Sequence, residues 1–206
     1  MNLISRAAAV VLVMISGASG AVDFPGISIT PPSGEEWIRV QDSAHAVAWM
    51  RRTEPGNLTM GVALLTQALN RRFDNRGDFL AWVTHSKEAN PDPQRFRLVS
   101  NRVSETTRQG YETCADYTTV IEDLSGGPAA VLRLEVSGLA CLHPVQPLRY
   151  YDIQYSARMP TADELPEALA REGRQFVDSA RFTAPPADGD WALGQAARSP
   201  GRRETT

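Results

Sequence analysis

Lysine is nearly missing from this chain. Of its 21 basic residues only Lys87 is lysine, so any mechanism built on a lysine amine has one residue to use. Histidine is scarce as well, with His45, His85 and His143 alone. No two of them stand at the spacing of a helical metal motif, and no Cys-x-x-Cys occurs, so the common metal signatures are excluded. Gly-x-Ser-x-Gly is absent, which removes the nucleophile elbow. "LSGG" lacks the lysine and hydroxyl of a phosphate loop. The formal net charge is only −3, which gives nucleic-acid binding no electrostatic footing. After residue 15 there is no long apolar run, hence no stable membrane span. These absences leave no recognisable catalytic constellation. The chain is read as a non-enzyme with no catalytic residues, no metal and no cofactor.

What is present begins at the N-terminus. Residues 2–6 are a short basic start, and residues 7–15, "AAAVVLVMI", are apolar without interruption. "SGASGA" follows with residues small enough for cleavage after Gly20 or Ala21. This is the three-part layout of a secretory leader, and the apolar run falls well short of the roughly 20 residues that span a bilayer. Residues 1–21 are therefore expected to be a signal peptide. The remaining chain, about 185 residues with 42% hydrophobic content overall, can build one domain with a substantial core. The expected location is periplasmic or secreted.

In such a compartment the two cysteines of the chain, Cys114 and Cys141, are expected to pair. Their flanks read as strands. Over 111–121 the odd positions Ala115, Tyr117, Thr119 and Ile121 alternate with the even positions Cys114, Asp116 and Thr118. Over 130–142 the apolar residues Leu132, Leu134, Val136, Ala140 and Leu142 take the even positions. Period-two alternation marks half-buried strands. A hairpin turning near Gly126, Gly127 and Pro128, with partners whose numbers sum to 255, sets Ile121 opposite Leu134 and Thr119 opposite Val136. It also sets Glu122 against Arg133 and Cys114 directly against Cys141. Registers with even sums would oppose unlike faces. Directly opposed residues have Cβ atoms about 4.5–5.5 Å apart, close to what a disulfide needs. The bridge would leave no cysteine nucleophile. Glu112 and Asp116 share the Cys114 face, where strand carboxylates are normally solvated.

The rest of the chain reads coarsely around that hairpin. "GISI", "WIRVQD", "HAVAWMRRT" and "NLTMGVALLT" are strand-like, separated by turn residues. Asp74 or Asn75 opens a helix that places Phe79, Trp82, Val83 and Ser86 at helical spacing, ended by Pro91 and Pro93. "RFRLVSNRVSETT" and "YYDIQYSARM" are strands. Thr161 and Glu164 form a capping box for a second helix carrying Leu165, Leu169, Phe176 and Ala180 toward a core. Residues 184–206 have little periodicity and read as a flexible tail. The domain is expected to span 22–183 as a single α+β unit: an antiparallel β-sheet with two main helices packed on it.

The opening "PPSGEEWIRV", the strand and helix order β-β-β-α-β-β-β-α, and the closing "FVDSARF" resemble the PsbP-like superfamily. That superfamily holds extrinsic photosystem proteins and DcrB-like exported bacterial proteins. The resemblance runs over about Gly26 to Phe182. It implies a sheet with helices packed on it and an accessory or binding role, and almost no chemistry, since fold does not carry function.

Three residues stand out as a candidate binding surface. His143 follows Cys141 in "CLHP" at the hairpin end, where an exposed turn histidine is expected. Tyr150 points to the other face from Tyr151 and could line a pocket, although core packing is favoured. Trp191 is the one contact point in the tail. The expected function is an exported, non-enzymatic accessory or binding protein of the bacterial envelope, recognising an envelope protein or a small ligand. The alternatives are a periplasmic immunity or inhibitor protein against a secreted toxin, and a small hydrolase.

Overall fold

The alternating segments assemble into one large antiparallel sheet, seen in a computed structural model that describes residues 20–53, 58–89, 92–125, 127 and 131–184. Most of the expected leader, the bend at Gly126 and Pro128, and the tail with Trp191 lie outside the described residues. Strands β1 (Val22–Phe24) and β2 (Ile27–Ile29) come first. β3 (Ile38–Ser43), β4 (Ala46–Arg52) and β5 (Thr59–Ala68) follow, then helix α1 (Arg76–Glu88). β6 (Phe96–Glu105), β7 (Cys114–Asp123), β8 (Leu132–Leu142) and β9 (Arg149–Pro160) lead to helix α2 (Glu167–Asp178) and strand β10 (Arg181–Phe182).

Seven strands form one sheet in the order β3-β4-β5-β9-β8-β7-β6, and β1, β2 and β10 form a small second sheet. β3–β5 and β6–β8 are two meanders, and α1 carries the chain from one to the other. β9 then enters between β5 and β8 and pairs with both. The class is α+β, with two helices on an antiparallel sheet, as the sequence predicts. The helices take opposite faces. Phe176 and Val177 of α2 join Trp49, Met60, Val62, Leu64, Leu139 and Ile153 in the larger core. Phe79 and Val83 of α1 join Ala115, Tyr117, Ala140 and Tyr150 in the second. Gly173 lets α2 sit this close, since a Cβ there would collide with the Tyr155 ring.

The hairpin register is the expected one: Cys114 pairs Cys141, Thr119 pairs Val136, Ile121 pairs Leu134 and Glu122 pairs Arg133. Cys114 and Cys141 are disulfide-bonded and fully buried. The charge pairing differs from the register. Glu122 accepts from Arg97 Nε at 2.6 Å across β6, while Arg133 turns to Glu135 at 2.8 Å on its own strand. Arg97 lies opposite Glu122 as well, and a strand inside a sheet offers two neighbours where a hairpin offers one.

Helix starts divide similarly. Asn75 caps α1, its side chain accepting from Asp78 N at 3.0 Å. The capping box expected at Thr161 and Glu164 does not form. α2 begins at Glu167, after Pro166, with no side-chain cap. A proline disfavours helical backbone in the residue before it, so Leu165 stays outside the helix and packs on the core from the connecting segment. β1 and β10, at three and two residues, are too short for period-two patterning to announce them.

Asp123 ends β7 with 1% exposure. Its carboxylate accepts from Arg95 Nε and Nη2, each at 3.2 Å, from Arg158 Nε at 2.9 Å and from Ser125 N at 3.0 Å. The Arg95 hydrogen bond, with the Ser125 bonds and the Arg158 charge, holds this carboxyl well below the usual carboxylate range against the opposing cost of burial.

Two outcomes follow from these ties. Reducing the disulfide, or changing both cysteines to alanine, is expected to lower unfolding free energy by about 2–4 kcal/mol in urea titrations. An unchanged midpoint would contradict that account. For Asp123 the folded pKa lies below the unfolded value of about 3.9. Its contribution is therefore complete above that pH and is lost as pH falls below it. Asp123→Asn should cost about 2–3 kcal/mol at neutral pH, less than a fully buried pair because both arginines are partly exposed. The wild type and the variant should converge in stability as pH falls below about 4; parallel curves would refute the assignment.

Candidate functional site

α1 covers β6 and β7, which leaves a hollow of about 520 Å³ between its last turns and the ends of β3, β4, β5 and β9. Trp82 and Lys87 reach it from α1, Tyr150 and Asp152 from β9, Gln67 from β5, and Gln41, Ser43 and His45 from the β3–β4 hairpin. Positions 82 and 87 stand about 140° apart around α1 at 100° per residue, so Lys87 reaches the Trp82 side through its long stem.

The floor is a charged network. Lys87, 14% exposed in its side chain, bonds Asp152, 12% exposed. Tyr117 donates its hydroxyl to Asp152 Oδ1 at 2.6 Å and approaches Gln154 Oε1 at 2.7 Å. Lys87 Nζ also stands 3.7 Å from the centre of the Tyr117 ring, within cation–π range. Burial, reinforced by the Asp152 charge and hydrogen bond, pushes the Tyr117 phenol well above its ordinary pKa. Burial first and the Asp152 charge second do the same to Tyr150. Both phenols therefore stay protonated at neutral pH, and that of Tyr117 acts as a donor. The aromatic wall is Trp82 set edge-on to Tyr150, with centroids 5.0 Å apart. Ser86 is occupied, donating to Val83 O at 2.8 Å. The hollow thus sets an aromatic wall and the amides of Gln41 and Gln67 above a floor of mutually bonded groups; the Ser43 hydroxyl is taken, donating to Ala46 O at 3.3 Å. Among the described residues no three His, Cys, Asp or Glu side chains converge to hold a metal ion.

The residues singled out in the sequence are scattered by the fold. Tyr150 is buried on Trp82 and also lines the hollow. His143, expected on an exposed turn, is instead 2% exposed. Its Nδ1 accepts from Val145 N and Gln146 N, both at 3.2 Å. Nε2 therefore carries the proton and donates to Thr183 O at 3.1 Å. The ring lies edge-on to Phe182. The correction has a physical reason: β10 folds back over His143, and a two-residue strand leaves no pattern in the sequence. Gly26, with φ of 86°, packs on the same ring and on the Tyr151 hydroxyl, leaving no room for a Cβ. His143 and Tyr150 end on opposite faces of the sheet, and Trp191 lies outside the described residues. Asp152 was missed. Its signal was a carboxylate inside "YYDIQY", where its immediate neighbours Tyr151 and Ile153 are aromatic and apolar.

The fold and the hollow define an α+β domain with a preformed recess on one sheet face. No family model matches the chain, and no curated protein matches it. Among solved structures the chain is similar to LpqN of Mycobacterium tuberculosis, described as involved in cell envelope biogenesis. The likeness covers 80% of this chain and 90% of that one, at 11% identity and a TM-score of 0.46.

The floor network can be tested by a double-mutant cycle. Lys87→Met strands a nearly buried carboxylate and should cost about 2–4 kcal/mol. Asp152→Asn should cost less, because the amide still bonds Tyr117. The double variant should fall short of the sum by at least about 1 kcal/mol. Strict additivity would mean that the pair is not coupled.

Proposed function

We propose that this chain is an exported, non-enzymatic binding protein of the bacterial envelope, and that it takes a small ligand or a partner's side chain in the Trp82–Tyr150 hollow. The observation that carries this reading is the saturation of the hollow's floor. Lys87, Asp152 and Tyr117 bond one another, so these three groups are committed to structure, while Gln67 at the rim is exposed. Concave recesses with an aromatic wall and a few polar groups are the usual form of ligand sites. Export is supported by the leader-like N-terminus and by the buried disulfide, a bond that persists in oxidising compartments. The PsbP-like resemblance of the sequence favours the accessory role, and the α+β architecture accommodates it. Among the described residues no helix is long and apolar enough to cross a membrane.

The test uses mature protein immobilised and exposed to the native envelope fraction. Wild type should retain a component that Gln67→Trp, which fills the hollow from an exposed position, does not. Chain recovered from that fraction should begin near Ala21 or Val22 on N-terminal sequencing. Equal retention by both proteins would sink the binding assignment. Turnover on an esterase, phosphatase or peptidase panel that is lost in Lys87→Met would replace it with catalysis.

A further inference from the structure

The opposite sheet face carries a second recess of different chemistry. α2 lies across β9, β5 and β8, and beside it a cleft of about 160 Å³ opens over β6, β7 and β8. At about 30 Å³ per water that is room for roughly five waters, or for one small oxyanion group with part of its hydration. Three guanidinium groups line it, those of Arg102, Arg108 and Arg174, with one carboxylate, Asp116.

The three arginines are not equivalent. Arg108 bonds Asp116 at 3.1 Å and also Asp178. Arg174 is held by Glu167 at the rim. Arg102 makes no ion pair or side-chain hydrogen bond among the described residues, so its five-donor fork is uncommitted. It stands in register with Thr118, and Thr118 with Ser137. The hydroxyls of Thr118 and Ser137 are 3.0 Å apart. One hydrogen closes that contact, and the other is left to donate outward. Arg102 and this hydroxyl pair thus form one row of donors across three strands. Asp116 is held by Arg108, which it shares with Asp178, so its carboxylate is turned to that guanidinium and not to Arg102.

We propose that this cleft binds a phosphate group, with Arg102 taking two oxygens through its fork and the Thr118–Ser137 pair donating to a third. A guanidinium fork matches phosphate and carboxylate alike. The additional neutral donors suit the group with the extra oxygen. The phosphate comes either from a soluble phosphate or from a lipid headgroup, and the experiment separates the two.

Mature protein is titrated with inorganic phosphate against chloride at matched ionic strength and followed by calorimetry. In parallel, it is sedimented with phosphatidylcholine vesicles with and without phosphatidic acid. Arg102→Gln and Thr118→Val are compared with Arg97→Gln, an exposed arginine outside the cleft. A saturable response with a Kd of about 1 mM or tighter is expected, weakened at least about tenfold by Arg102→Gln. Thr118→Val should weaken it several-fold, and Arg97→Gln should not change it. Arg102-dependent binding of inorganic phosphate assigns the soluble source. Arg102-dependent sedimentation with phosphatidic acid, without that response, assigns the headgroup. Absence of both overturns the proposal, as does equal weakening by Arg97→Gln and Arg102→Gln, which would reduce the effect to general surface charge.

Discussion

The fold depends on the double pairing of β9. No strand of one meander pairs with a strand of the other among the described residues, so β9 joins them into one sheet. It pairs from Arg149 to Arg158 with β5 and from Tyr150 to Pro160 with β8. Its side chains are buried on both faces over much of that length. Tyr151, Ile153 and Tyr155 face the larger core, while Tyr150 and Asp152 face α1. A strand in this position must satisfy two environments residue by residue, and Asp152 shows the consequence. A carboxylate placed under a helix needs a cation and a donor, which Lys87 and Tyr117 supply. The sole lysine of the chain is thereby fixed in place by the central strand.

Closure of the small sheet depends on the same strand. Tyr151 donates its hydroxyl to Pro25 O at 2.7 Å, in the turn between β1 and β2. Its ring meets both His143 and Phe182. The chain's first and last described strands are thus gathered on one aromatic of β9. Reversal of the chain at Gly26 is possible because glycine accepts a positive φ at no steric cost. His143 completes the closure by bonding three backbone groups, Val145 N, Gln146 N and Thr183 O. A histidine near a disulfide invites a catalytic reading. Here its two nitrogens serve main-chain groups instead.

How legible this was depended on the range of the interaction. The Cys114–Cys141 register could be read because a hairpin is local and its apolar face forbids a slip by one residue. Asn75 as a cap was legible because capping is decided within one turn. The failures needed information from elsewhere. Glu122 chose Arg97 because β6 lies on its other side, which the hairpin alone does not disclose. The second helix began late because Pro166 overrode a plausible box upstream. The burial of His143 required knowing that β10 returns over it. Of the hollow, Tyr150 was legible as a residue facing away from Tyr151, and Lys87 stood out by its rarity. Their meeting through Asp152 required the strand order, since β9 follows β8 in sequence yet also lies against β5.

The placement of the helices accounts for where the open recesses lie. α1 covers the β6–β7 half of one face, and α2 covers the β9–β5 part of the other. Two helices set diagonally on a seven-stranded sheet leave two uncovered half-faces, one beside each helix. Their chemistry differs for a reason rooted in the strands. On the α1 side the β4 and β5 residues facing outward include Ala46, Ala48, Gly61 and Ala63, which leaves a shallow, apolar approach to the aromatic wall. On the α2 side, β6, β7 and β8 present Arg102, Thr118 and Ser137, polar residues that a helix could cover only at a desolvation cost. The walls of both recesses are strands and helices tied down by the disulfide, by Asp123 and by the Lys87–Asp152 pair. A ligand entering either one meets side chains whose backbone is already ordered, so little conformational entropy remains to be lost on binding.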